Sequence, residues 1–194
     1  MTIEYYNLFA ADFIKGTIDA DLSVIRGRFL KYLQRGDHIL DFGCGSGRDA
    51  KVFLEKGYQI TATDGSSACC KLAANYMGQE VLCRTFKQLS FVQEFDGVWA
   101  SASLLHVPFD EITEIFLLID QALKPGGVLY ASFKYGDFEG ERNGRYFTDL
   151  TEERLRTLLK PINRLETIET FVTDDVRKGH EGVKWLNVIV QKKK

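Results

Sequence analysis

The chain has 194 residues, 45% hydrophobic and 27% charged, with a net charge of -2. That length is enough for one domain with a full core, so stability requires neither disulfides nor a structural metal. The slight negative charge argues against a nucleic-acid partner, which needs a basic face, and no apolar run approaches the roughly 20 residues that cross a bilayer.

Residues 19–33 carry Leu22, Ile25, Phe29 and Leu33 at spacings of three, four and four, which predicts an amphipathic helix stopped near Gly36. A first strand is expected over 38–42, a helix over 48–56, a second strand over 58–63, a helix over 66–76 and a short third strand over 80–84. A fourth strand with its following loop fits 95–103, and the apolar helix over 112–123 is broken by Lys124-Pro125-Gly126-Gly127. The fifth strand is expected over 128–134, a Gly-rich charged loop over 135–148 and a helix over 151–159. The apolar runs 165–172 and 183–190 are joined by a polar segment and read as an antiparallel pair. Strands alternating with helices imply a parallel sheet covered on both faces.

The amino terminus carries Glu4, Asn7 and Asp12 where a secretory leader would be basic and then apolar, so none is expected. Cys44, Cys69, Cys70 and Cys83 form no CxxC pair and no zinc spacing with histidine. They read as reduced thiols of a cytoplasmic protein, and no metal centre is expected.

The most informative stretch is residues 39–47, Ile-Leu-Asp-Phe-Gly-Cys-Gly-Ser-Gly, an apolar strand turning through alternating glycines into a helix. Glycine is required where the backbone takes positive φ or approaches a neighbour too closely for a Cβ. The dinucleotide fingerprint G-x-G-x-x-G places its third glycine where this chain has Arg48. Asp41, ending the first strand, suits a cationic amino group and would repel a pyrophosphate. Asp64 ends the second strand, where a carboxylate accepts from ribose hydroxyls. One ribose, one ammonium and no pyrophosphate describe S-adenosylmethionine better than NAD.

With these residues in view, 39–47 and Asp64 resemble the first two motifs of class I S-adenosylmethionine-dependent methyltransferases. Phe95-Asp96-Gly97-Val98 resembles that family's fourth strand, and Leu123-Lys124-Pro125-Gly126-Gly127 its turn before the fifth; the match runs over about 19–190. Gly47-Arg48-Asp49-Ala50, residues 99–108, Gly144-Arg145-Tyr146-Phe147 and Trp185-Leu186-Asn187 resemble a small bacterial subgroup described as tellurite-resistance-like or small-molecule methyltransferases. The resemblance implies an α/β, Rossmann-like fold: a seven-stranded, mostly parallel sheet, helices on both faces and an antiparallel last strand. It implies one domain over 1–194, with 1–35 a helical lid or cap on a core over 36–194. It also implies S-adenosylmethionine as cofactor and S-adenosylhomocysteine as product.

On the same ground Gly43, Gly45 and Gly47 would line the methionine part, with Asp41 near its amino group, while Cys44 reads as a small packing residue beside the cofactor. Arg48 would reach the cofactor carboxylate or stay at the surface, and Asp49 is explained by the helix dipole. Asp64 would hold the ribose, with Gly65 and Ser66 beside it and Phe86 against the adenine. Ala100 and Ser101 would close over the cofactor, as would Tyr6 from the N-terminal segment.

The sulfonium methyl is already activated, so an enzyme of this kind mainly positions a nucleophile in line and excludes water. His106, after the fourth strand, is the candidate base; the alternative is that its ring shapes the loop. Arg145 could clamp an anionic substrate or tie the loop to Asp149 or Glu153, and Lys134 and Tyr135 border the same loop. Trp185 and Asn187 share one face of the last strand and read as packing or strand-end residues. No Asp/Asn-Pro-Pro-aromatic tetrad and no Pro-Cys pair is present, which favours a small-molecule acceptor over nucleic acid. No membrane partner is expected, and the chain is expected to be a monomer or homodimer. Two further readings are a non-catalytic S-adenosylmethionine-binding protein and an NAD(P)-dependent oxidoreductase.

Overall fold

The computed structural model describes residues 2–177 and 179–194. Two N-terminal helices, α1 (Thr2–Thr17) and α2 (Ser23–Leu30), precede an alternating series. It runs β1 (His38–Phe42), α3 (Arg48–Glu55), β2 (Gln59–Asp64), α4 (Ser67–Met77), β3 (Leu82–Cys83), β4 (Phe95–Ala100), α5 (Phe109–Ala122) and β5 (Leu123–Lys134). A small hairpin, β6 (Glu139–Arg142) and β7 (Arg145–Thr148), leads to α6 (Glu152–Leu159), β8 (Leu165–Asp174) and β9 (Lys184–Lys192).

The main sheet has seven strands in the order β3-β2-β1-β4-β5-β9-β8. The pairs from β3 to β5 are parallel, and β9 inserts antiparallel to both β5 and β8. This is the expected Rossmann-like fold with an antiparallel last strand. Successive strand residues point to opposite faces, so each central strand feeds two cores. Leu40, Val98, Leu129 and Ala131 pack with α5 and α6, while Ile39, Trp99, Val128 and Tyr130 pack with Phe29 of α2 and Phe53 of α3. Chain order reverses between β1 and β4, and a crevice opens there beyond the strands' carboxyl ends.

Three sequence expectations change. The helix expected over 19–33 is only Ser23–Leu30, preceded by a separate helix from Thr2 whose axis breaks at Phe9. The turn over 124–127 survives as a bulge: Phe95 pairs with Leu123 and Gly97 with Val128, so four residues of β5 stand opposite the single Asp96 of β4. The loop expected over 135–148 is a β-hairpin closed by Asn143 (φ 51) and Gly144 (φ 75). Two consecutive left-handed residues give a turn whose twist matches paired strands, and Asn-Gly is the sequence that adopts it. Among the described residues no helix is long and apolar enough to cross a membrane, and no group of three or more His, Cys, Asp or Glu is placed to hold a metal ion.

Candidate active site

A cavity of about 550 Å³ occupies the crevice, roofed by residues of α1 and floored by the ends of β1, β2, β4 and β5. The glycine loop is tied down by backbone bonds. Gly43 and Cys44 both donate N–H to the Thr63 carbonyl at 2.9 Å. Gly45 and Ser66 donate to the two Asp64 oxygens at 2.9 and 2.8 Å. Gly43 has φ 86, and a Cβ there would lie 2.5 Å from Cβ of Ser103, whose hydroxyl donates to the Phe42 carbonyl. Gly45 is covered by the Phe13 ring of α1, 3.2 Å from where its Cβ would stand. Ala102 holds φ 51 in the loop after β4, an uncommon state for a residue with a side chain and one that clusters at functional sites.

Asp41 and Asp64 both line the cavity. Asp41 is 3% exposed, and its Oδ2 has no hydrogen-bond partner. Burial, with Asp49 nearby, pushes its carboxyl well above the usual carboxylate range. A buried unpaired carboxylate is costly, and an ammonium group would relieve that cost. Asp64 is also pushed up by burial, offset by the amides of Ser66, Gly45 and Gly65. These two acceptors therefore fit the ammonium and ribose hydroxyls of S-adenosylmethionine.

Beneath this wall lies a buried charge network that sequence reasoning missed. Asp49 accepts from Arg26 Nη1 at 2.6 Å, Arg48 Nη2 at 2.8 Å and Trp99 Nε1 at 3.1 Å. Burial raises its carboxyl, but Arg48 and Arg26 outweigh that and hold it below the ordinary range. Asp49 is thus more than a partner for the helix dipole. Arg48 belongs to this network as well as to the cavity lining: its Nη1 donates to the Thr17 carbonyl at 2.8 Å, and its Nε and Nη2 donate to Asp49.

The second wall comes from side chains distant in sequence. His106 Nδ1 lies 2.7 Å from the Tyr146 carbonyl, so that nitrogen carries the ring proton. Nε2 is then the acceptor for the Tyr6 hydroxyl at 2.9 Å, and Arg145 Nη1 donates to that hydroxyl at 3.3 Å. Burial, reinforced by Arg145 and Lys134, lowers the His106 pKa to about 4, although the Tyr146 carbonyl opposes the shift. The Arg145 guanidinium lies 4.7 Å from the Tyr5 ring centroid and 5.2 Å from that of Phe147. Lys134 Nζ lies 4.9 Å from the Phe147 centroid, and burial lowers its pKa, with Arg142 next in weight.

Most expected residues converge here. Tyr6, Asp41, Gly43, Cys44, Gly45, Arg48, Asp64, Gly65, Ser66, Phe86, Ser101, His106, Lys134 and Arg145 all line the cavity. Gly47, Ala100 and Tyr135 do not. Gly47 holds φ 73, which favours glycine, and a Cβ there would also crowd Met77 of α4 at 2.8 Å. Ala100 points into the core shared with α5. Tyr135 faces solvent and donates to Glu152 at 2.9 Å. Cys44 is buried, and burial pushes its thiol well up, as suits a packing residue.

Trp185 and Asn187 line the cavity as well as packing. Asn187 accepts from the Tyr130 hydroxyl at 2.7 Å, and Trp185 donates to Asp175 at 3.1 Å. Asp175 also takes Nη2 of Arg177 at 2.6 Å, which outweighs burial and brings its pKa to about 2. The sequence signal for this pair is the Asp-x-Arg spacing in the polar segment after β8.

Residues 39–127 match the family model described as a methyltransferase domain. The ubiquinone biosynthesis O-methyltransferase of Coxiella burnetii is 30% identical over 114 residues, 53% of this chain and 48% of that protein. The chain therefore spans about half the length of the curated relatives it matches. A solved S-adenosylmethionine-dependent methyltransferase from Methanosarcina mazei superposes with TM-score 0.76 at 25% identity, covering 89% of this chain and 98% of that one. The 1,6-didemethyltoxoflavin-N1-methyltransferase of Burkholderia thailandensis, solved with bound 1,6-didemethyltoxoflavin and S-adenosylhomocysteine, gives TM-score 0.73 at 23% identity over 100% of this chain and 91% of that one, a likeness of fold. The chain is thus similar to a methyltransferase domain over residues 39–127, and its sheet order and these neighbours give it the fold of S-adenosylmethionine-dependent methyltransferases.

Proposed function

We propose that this chain transfers a methyl group from S-adenosylmethionine to a small-molecule acceptor. The carrying observation is that two carboxylates, the buried Asp41 and the half-buried Asp64, line one cavity at the point where strand order reverses. Such a pair suits a cationic amino acid joined to a ribose and opposes a pyrophosphate, which sets an NAD(P)-dependent oxidoreductase aside. The bound cofactor would supply an activated methyl group. Asp41 would hold its ammonium, Gly43 and Gly45 its methionine part, Asp64 with Gly65 and Ser66 its ribose, Phe86 its adenine, and Ser101 would border it.

In this reading residues 1–35 form the cap and residues 36–194 the core of one domain. Tyr6, Phe13 and Thr17 place α1 over the cavity and exclude water. His106 keeps Nε2 as an acceptor and can take a proton only through Tyr6 or after Tyr6 moves aside. The narrower likeness to tellurite-resistance-type enzymes belongs to this reading as a subgroup assignment.

The test is S-adenosylhomocysteine release on incubating the chain with S-adenosylmethionine and a panel of thiols, phenols, organic acids and oxyanions. Turnover with one acceptor class is the expected result. Tight cofactor binding with no release across the panel would favour the non-catalytic binding protein.

A further inference from the structure

Resting on that reading, we propose that the acceptor is an organic anion whose charged oxygens sit between Arg145 and Lys134, with its body against Phe147 and Trp185. All four side chains line the cavity. Cations in a partly dry site normally find carboxylates, and the arginines that line or border this cavity, Arg48, Arg142 and Arg177, do so. Arg142 makes a two-pronged pair with Asp149 at 3.1 and 2.7 Å, and Arg177 does the same with Asp175 at 2.9 and 2.6 Å. Among the described residues Arg145 and Lys134 have no ion-pair partner. Arg145 is held by aromatic faces and one 3.3 Å bond to Tyr6, and its buried Nε has no acceptor. Lys134 has only the Phe147 face.

The nearby charges sharpen the imbalance. Around Lys134 stand Arg142, Arg145 and Arg177, and the carboxylate among its strongest neighbours, Asp149, is already taken by Arg142. Like charges this close repel in a partly dry site, and a bound anion removes the repulsion while filling vacant donors. Arg presents a planar fork that matches two oxygens of one group. The apolar surfaces of Phe147 and Trp185 call for a carbon body, which points to an organic acid over a bare inorganic ion. An acceptor that arrives ionised also brings no proton for His106 to remove, consistent with an imidazole already committed to Tyr6 and Tyr146.

The test is calorimetric titration of the full chain, loaded with S-adenosylhomocysteine, with benzoate, phenyl phosphate and uncharged benzamide. At least one anion is expected to bind more than about tenfold tighter than benzamide, and the better of the two distinguishes a carboxylate from a phosphate group. Arg145→Gln and Lys134→Met should each reduce that preference by about tenfold, and Arg145→Lys, which keeps the charge but loses the planar fork, should restore only part of it. S-adenosylhomocysteine affinity in each variant reports that the cavity is intact. Benzamide binding as well as the anions, no anion binding at millimolar concentration, or a preference that survives both substitutions would overturn the proposal. Failure of the wild-type chain to bind S-adenosylhomocysteine would instead contradict the methyltransferase reading, through a separate readout.

Discussion

The two walls of the cavity are held in different ways. The glycine-loop wall is fixed by backbone bonds between neighbours in the sheet, with Gly43, Cys44 and Gly45 all anchored to Thr63 and Asp64. The second wall is assembled from side chains far apart in the chain: Tyr6 meets His106 across 100 residues and Arg145 across 139. A wall of the first kind is set when the strands pair. A wall of the second kind depends on α1 and the β6–β7 hairpin docking, and it can reorganise around a ligand at the cost of a few side-chain bonds.

The largest expected effect lies beneath the first wall. Asp49→Ala would leave Arg26 and Arg48 buried without their carboxylate and Trp99 without an acceptor. Removing one partner of a buried pair typically costs about 3–5 kcal/mol, read as a shift in urea denaturation; a loss under about 1 kcal/mol would mean the network is superficial.

Second comes the pH dependence of the other wall. The folded His106 pKa is about 4, below the unfolded value of about 6.5. The unfolded chain therefore binds the extra proton first, and stability falls as pH drops from about 6.5 to 4, by about 1.4 kcal/mol per unit at the steepest. His106→Asn should flatten that slope relative to wild type. Parallel pH profiles would rule out a buried neutral imidazole.

Asp64→Ala should weaken S-adenosylhomocysteine binding by about 1–3 kcal/mol, the scale for hydrogen bonds to a charged group. It should also loosen the Gly45 and Ser66 amides. An unchanged affinity would separate the ribose site from β2.

Tyr6→Phe is the mildest, removing the hydroxyl that joins α1 to His106 and Arg145. Amide exchange in α1 should speed up about twofold to tenfold, while the glycine loop stays protected. Equal acceleration in both would erase the distinction between the walls.

The same distinction explains what could be read in advance. The first wall is local: alternating glycines, Asp41 and Asp64 lie at strand ends set by apolar runs, so their convergence follows from parallel pairing alone. Gly47 serves the turn itself: its φ of 73 favours glycine, and a Cβ there would also crowd Met77 of α4. Ala100 misled by one residue of strand alternation, which turns it from cavity to core. In the second wall the Asn143-Gly144 turn was a legible hairpin signal that charge composition obscured. The Tyr6–His106–Arg145 contacts and Asp49 with Arg26 had no periodicity to announce them, since they depend on how separate elements pack.

The most direct test of the central claim is parallel calorimetric titration of the full chain with S-adenosylhomocysteine, S-adenosylmethionine and NADH, repeated with Asp64→Ala. Micromolar binding of both adenosyl ligands, weakened by the substitution, with no heat from NADH, is the expected result. NADH binding, or no binding of either adenosyl ligand to the wild-type chain, would contradict the assignment of this cavity.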